Sequence, residues 1–305
     1  MGVFSDILRA LPGAVAQGLI WGIMAIGVFI TFKILDIADL TVDGSICTGM
    51  AVCAVLMTNG VNVWVAMLCS VIAGMLAGLV TGIFHTFMGI PAILAGILTQ
   101  LMLWSVNLKI LGGANLALPA RKYSVLVTLL RTNRSIIALV IFVIVLIGLL
   151  YWFFGTEFGS AVRSTGSNIK MSKAQGINTD FNKIFGLVLS NGIVALAGSL
   201  LAQYSGSADI NAGRGAIVIG LAAVIIGEAV VSKISGNFFV HLVGIALGGV
   251  IYYIVYQIVI CLKIDTDLLK MLSALVVAIF LAVPYWKKKY FSRPKQSKKE
   301  VGADA

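Results

Sequence analysis

The apolar residues of this chain come in long runs, and its charges are largely confined to the breaks between them. The run 135–154 holds no charged residue; comparable runs cover 13–33, 63–84, 90–108, 184–204, 238–262 and 268–285, with shorter ones at 45–57 and 216–231. A helix needs about 20 mostly apolar residues to cross a bilayer, and backbone polar groups bared to lipid find no partner there. The pattern predicts an all-α, polytopic transmembrane protein of about 8–10 membrane segments over residues 1–290. A water-soluble fold is excluded, because 60% of the residues are hydrophobic and only 11% charged, against roughly a quarter charged in soluble domains. The spans consume the length, so no room is left for a soluble catalytic domain.

Where the charge sits matters more than its sum of +10. Lys287, Lys288, Lys289, Arg293, Lys295, Lys298 and Lys299 follow directly on the last apolar run. Such a cluster reads as a cytoplasmic anchor drawn to anionic membrane lipid, with 291–305 a basic, disordered tail. Nucleic-acid binding would want aromatic residues interleaved on a folded scaffold, so no nucleic-acid partner is expected. Counting crossings back from the tail places 155–182, 36–44 and Lys233 on the cytoplasmic side and the N-terminus outside. Residues 1–11 put Phe4, Ile7, Leu8 and Leu11 on one helical face, which predicts a short helix lying in the interface before the first crossing.

Metal and hydrolytic chemistry have no candidate cluster. His85 and His241 stand alone, and Cys47, Cys53, Cys69 and Cys261 lack paired spacing, so buried thiols acting as small hydrophobes explain them. No Gly-Lys dipeptide occurs, which removes a phosphate-binding loop of the Walker type. The chain is therefore expected to bind no cofactor itself and not to be an enzyme; any ATP and Mg would belong to a partner.

Two breaks carry the polar residues. Asp36 to Gly44 places Asp36, Asp39 and Asp43 between apolar runs, and three carboxylates there must lie outside the hydrocarbon or line a wet cavity. Ser205 to Gly215 is a Gly-rich polar break that also precedes a short segment. Crossing, break and short segment thus occur twice, in opposite directions by the crossing count, which is a weak inverted repeat of the kind transporters use. In residues 63–84, Gly74, Gly78 and Gly82 recur at four-residue spacing and predict a face that packs closely on another helix. Glu228 interrupts an apolar segment; it is either a polar group of the transport path or a helix-end carboxylate near Lys233.

Gly166-Ser167-Asn168, followed by Ala174-Gln175-Gly176-Ile177 and then Ser190 to Ala202, resembles a stretch of the permeases of ribose and branched-chain amino-acid ABC importers. Asp39-Leu40-Thr41-Val42-Asp43-Gly44 is similar to that family's first break, with Asp43 as an added charge. Asn211-Ala212-Gly213-Arg214-Gly215 and Leu221 to Gly227 are similar to its second break and the run after it, with Glu228 in place of a glycine. The matches keep their order from Asp39 to about Gly249, and their composition looks closest to a branch near aromatic amino-acid importers.

The resemblance implies a permease that moves a small solute inward, an amino acid, possibly aromatic, being favoured. It implies an ABC ATPase subunit, an extracellular solute-binding lipoprotein and a second permease copy as partners. It also implies a coupling segment at about 159–181, with Gly166, Asn168, Lys170, Ser172, Ala174, Gly176 and Ile177 docking on the ATPase and Ser172 to Gly176 forming a short helix. On this reading Asn211 and Arg214 stand near the outer entrance of the path, Asp39, Thr41 and Asp43 serve its inner half, and Glu228 is a further candidate. The alternative is an ion- or proton-coupled secondary transporter, with Asp39, Asp43 and Glu228 as coupling carboxylates.

Overall fold

The computed structural model describes residues 3–119, 123, 125–231 and 236–261, together with positions 271, 274, 275, 278 and 282. In chain order the helices are α1 (Val3–Phe29), α2 (Val42–Thr58), α3 (Val63–Thr86), α4 (Ala92–Leu111), α5 (Thr132–Gly155), α6 (Glu157–Ser167), α7 (Ile169–Ala174), α8 (Thr179–Ser205), α9 (Ala216–Val231) and α10 (Phe238–Cys261). Six helical stretches are long and apolar enough to span a membrane; α2 and α9 are shorter and equally apolar. Two three-residue strands, β1 (Asn115–Ala117) and β2 (Ser207–Asp209), form the only sheet among the described residues. The all-α polytopic architecture is the one expected.

Two helices form the centre. Of the most apolar window of the stretch Arg9–Ile34, 83% is buried, and of α8 72%, whereas the corresponding window of α5 is only 22% buried. The outer helices turn Ile72, Leu76, Ile141, Ile144 and Leu149 outward, the side chains that lipid would solvate. Small residues bring the backbones together at the centre. A Cβ on Gly74 or Gly78 of α3 would overlap the carbonyl oxygens of Asn191 and Leu187 on α8, so the four-residue glycine spacing does mark a helix-packing face. Gly18 and Gly22 of α1 meet Val250 and Ala246 of α10 in the same way.

The two breaks are re-entrant. Past Phe29 the first helix continues as one π-helical turn, Ile30–Ile34, and Asp36 then takes a left-handed backbone (φ 56°) that reverses the chain. Residues 37–41 run back into the bundle, and α2 starts beside Asn191, near the middle of α8, with Gly49 seated on Ala195. After α8 the chain turns at Gly206 (φ 71°), β2 pairs antiparallel with β1, and residues 210–215 descend along α2 to the start of α9. From there α9 runs toward the end of the bundle that holds the π turn, packing on α1 at Gly220 and on α10 at Gly227 and Gly248. Thus α2 lies against α8 and α3, and α9 lies against α1 and α10, in opposite directions. This is the inverted repeat, with α1, α2 and α3 answering to α8, α9 and α10.

Three local expectations change. No separate interfacial helix precedes the first crossing, because α1 is continuous through Pro12. Asp39, Thr41 and Asp43 lie inside the bundle, not in a surface loop, while Asp36 alone of the three carboxylates in that break is exposed. The hydrophilic middle segment holds two helices, α6 and α7, and the second begins at Ile169 instead of Ser172 because Asn168 caps it there. Lys233 and the basic residues from Lys287 onward lie outside the described residues.

Candidate translocation site and coupling surface

The segment between α5 and α8 is built from caps. Thr156, Asn168 and Asn178 each accept a hydrogen bond from a first-turn backbone N–H, at 3.2, 3.1 and 3.1 Å, and so start α6, α7 and α8. Each such cap contributes about 1 kcal/mol. At the other end of α7, Gly176 has φ +78°; its N–H bonds to the Lys173 carbonyl and that of Ile177 to the Ser172 carbonyl. This is the αL termination that glycine alone adopts without strain, and it explains the Gly176-Ile177 pair.

Of the expected coupling residues, Ser172 is buried against α6, Asn168 is a cap and Ile177 is half-buried, while Lys170, Ala174 and Gly176 are exposed, as are the neighbouring Lys173 and Gln175. Ile169 and Met171 are exposed among these cations, so the surface is both apolar and basic. Gly166 faces inward, and a Cβ there would overlap the Ile34 carbonyl. Together with the hydrogen bond from Asn182 Nδ2 of α8 to Thr165 Oγ1, 2.9 Å, this seats α6 on both central helices. The π turn of α1 therefore touches the segment between α5 and α8 directly, at a place where the i→i−4 ladder is already widened.

At the first break the polar groups satisfy one another. Asp39 accepts from the Thr41 N–H at 2.9 Å and from Asn191 Nδ2 at 2.7 Å, and Asn191 Oδ1 accepts from Ser45 at 2.6 Å. Thr41, Thr81 and Thr99 form a hydroxyl chain of 2.7 and 2.9 Å across α3 and α4. All of these side chains are buried. A carboxylate in such a place is tolerated only when donors surround it.

The second break leans on Asp43. Its two carboxylate oxygens accept the N–H groups of Gly215 and Ile217, each at 2.9 Å, so a residue in the first turn of α2 caps the N-terminus of α9. Two helix N-termini, both positive dipole ends, thus meet around one carboxylate. Arg214 stands beside it and lines two cavities. One, of about 400 Å³, is walled by Trp21, Tyr252, Tyr253 and Tyr256. The other, of about 310 Å³, is bounded by Asp43, Gln100, Trp104 and Asn107.

Asp43 and Arg214, expected in opposite halves of the path, come together at one level; Asp39 and Thr41 lie nearby, bound to α8 and α3. Asn211 is exposed, its backbone N–H bonded to Asp209. Glu228 is remote from this cluster. It sits near the far end of α9, 3.2 Å from Lys33 of the π turn, so the helix-end alternative describes it, with Lys33 as its partner. Asn191, Ser45, Thr81, Thr99, Asn107 and the three tyrosines escaped the sequence reading. Of the hydroxyl chain the sequence singles out only Thr41 of the first break; Thr81 and Thr99 are threonines in apolar runs.

The chain matches the family described as "Branched-chain amino acid transport system / permease component" over residues 11–283. It is 40% identical over 276 residues to a tyrosine transport system permease protein of Clostridioides difficile, covering 90% of this chain and 91% of that one. Similarity to the autoinducer 2 import system permease protein LsrC of Salmonella typhimurium is 29% over 250 residues, 78% of this chain and 70% of the relative. An uncharacterized protein of Rickettsia prowazekii is 31% identical over 280 residues, 90% of this chain and 98% of its own length. No solved structure matches.

Proposed function

Because this chain belongs to the permease family of branched-chain amino-acid transport systems and is a multi-pass protein of the bacterial plasma membrane, we propose that it is the membrane-spanning subunit of an ABC importer carrying an amino acid, aromatic by preference, into the cell. A separate ATPase subunit supplies the energy, an external solute-binding lipoprotein delivers the solute, and a second copy of the permease completes the path.

One observation carries this reading. The segment between α5 and α8 exposes Ile169, Lys170, Met171 and Lys173 on its outer side and abuts the Ile34 carbonyl through Gly166 on its inner side. A solvated loop would need neither. Force applied to α6 and α7 from the cytoplasm reaches the π turn of α1, and through it the first break and, by way of Lys33 and Glu228, the end of α9. The aromatic preference is supported by the relative named for tyrosine transport and by the tyrosine-walled cavity beside Arg214. The family match supports the ABC reading over the secondary transporter, whose coupling carboxylates would have to exchange the donors that Asp39, Asp43 and Glu228 already hold.

The test is uptake of labelled tyrosine into proteoliposomes holding the permease, its ATPase and the binding protein. Uptake is expected to need ATP and to survive a proton uncoupler; ATP-independent uptake abolished by the uncoupler overturns the proposal. In the same system Ala174→Trp, a change on the exposed face of α7, is expected to leave the fold intact and ATP hydrolysis running while uptake falls by about tenfold or more.

A further inference from the structure

Behind the wall of the cavity between α2, α4 and the second break lies a buried polar atom with no partner among the described residues. Asn107 is 1% exposed, its Nδ2 donates to the Gly44 carbonyl at 3.5 Å, and its Oδ1 accepts no hydrogen bond among the described residues. The Nδ2 bond sets the orientation of the amide, since a carbonyl can be met only by the NH₂ side; the orphan atom is therefore an acceptor. A buried acceptor left without a donor is unfavourable, and groups of this kind mark sites that something else completes. On the same cavity wall stands Arg214, which is exposed and makes no ion pair among the described residues. Its nearest carboxylate neighbour on that wall, Asp43, already has both oxygens engaged by the α9 N-terminus.

Asn107, with its unpartnered acceptor just beneath the surface, and the exposed Arg214 thus line one cavity of about 310 Å³, with Trp104 also on its wall. That volume lies at the small end of ligand pockets. A ligand that satisfies both must carry a donor and an anion a few ångströms apart, as an α-ammonium and α-carboxylate do. Sugars offer hydroxyl donors and no anion for Arg214. We propose that this cavity is a transit site for the zwitterionic head of an α-amino acid, with Asn107 Oδ1 accepting from the ammonium, Arg214 holding the carboxylate and Trp104 covering the side chain. The inference deepens the amino-acid reading and rests on it. It adds a permease-borne selection for the head group, separate from whatever the external binding protein selects.

The probe is radiolabelled L-tyrosine, bound at equilibrium to the purified permease–ATPase complex without the binding protein, with L-leucine, tyramine and D-ribose as competitors. L-Tyrosine and L-leucine are expected to compete; tyramine, which lacks the carboxylate, is expected to be weaker by about tenfold, and ribose inert. Asn107→Leu is expected to weaken tyrosine binding by about tenfold. Arg214→Gln is expected to remove the preference for tyrosine over tyramine while leaving the melting temperature in place. Unchanged tyrosine binding in both Asn107→Leu and Arg214→Gln, or equal competition by ribose, overturns the transit site. Amino-acid uptake by the complete system that is indifferent to these changes leaves the importer reading standing without it; ribose uptake in place of amino-acid uptake sinks the substrate class itself.

Discussion

The link between α1 and α2 is fastened to three helices through buried side chains, whereas the link between α8 and α9 is held by backbone pairing with β1 at its outer end and by two residues of α2 next to α9. The first is fastened to α8 through Asp39 and Asn191 and to α3 and α4 through three threonines, all buried. The second has the Asp43 carboxylate and the Cys47 thiol, which accepts the Gly213 N–H at 3.1 Å and donates to the Ile210 carbonyl at 3.2 Å. Arg214 and Gly215 of that link are exposed beside cavities. The backbone geometry repeats and the fastening does not. The start of α2 is thus held through side chains and the start of α9 through its backbone, although both half-helices pack closely on their neighbours further along.

The difference is broken most directly at Asn191. Leucine is nearly the same size there but leaves one Asp39 oxygen and the Ser45 hydroxyl without their partners in the bundle centre. The expected loss is about 3 kcal/mol, since a buried charged acceptor is stranded. It would appear as a lowered unfolding midpoint in detergent, and adding Asp39→Asn in the same background should recover part of it. An unchanged midpoint for Asn191→Leu would show that the first link is no better fastened than the second.

Asp43→Asn probes the other side and should cost less, about 1–2 kcal/mol, because one amide oxygen still accepts while the charge facing the α9 dipole is lost. The effect is expected to be local. Hydrogen exchange should quicken at Gly215, Ile217 and the first turn of α9, and amides along α2 should keep their protection. Equal quickening in α2 would mean that Asp43 holds both half-helices equally.

How much of this could be read beforehand divides along the same line. The spans were legible because burial in lipid writes itself into uninterrupted apolar runs, and the α3 to α8 contact because Gly74, Gly78 and Gly82 share one face. That the hydrophilic segment between α5 and α8 holds a short helix was legible in outline; its register was not, since the start of α7 depends on which of several polar residues caps it, and Asn168 does. The depth of the breaks was hidden. Lone carboxylates in a sequence point to water, and the donors that let Asp39 and Asp43 sit inside the bundle are supplied by Asn191, Gly215 and Ile217, about 150 or more positions away. The approach of Asp43 to Arg214 follows from two half-helices meeting head to head, which no local pattern encodes.

The smallest expected effect concerns the one ion pair among the described residues. Lys33 is 54% exposed and Glu228 25%, so their 3.2 Å contact contributes no more than about 1 kcal/mol to stability. Its position still matters, because it ties the π turn, which meets Gly166 of α6, to the far end of α9. If α9 shifts during transport, this contact must break and reform in each cycle. Glu228→Gln should therefore leave the unfolding midpoint unchanged and alter the rate of ATP-driven uptake by about twofold. Exchanging the charges, with Lys33→Glu and Glu228→Lys together, should return the rate toward its original value, since attraction across the contact is restored while each single reversal leaves like charges facing. Rates that respond to the single changes but are not recovered by the exchange would place the effect in each residue's own surroundings and remove the pair as a link between the coupling segment and α9.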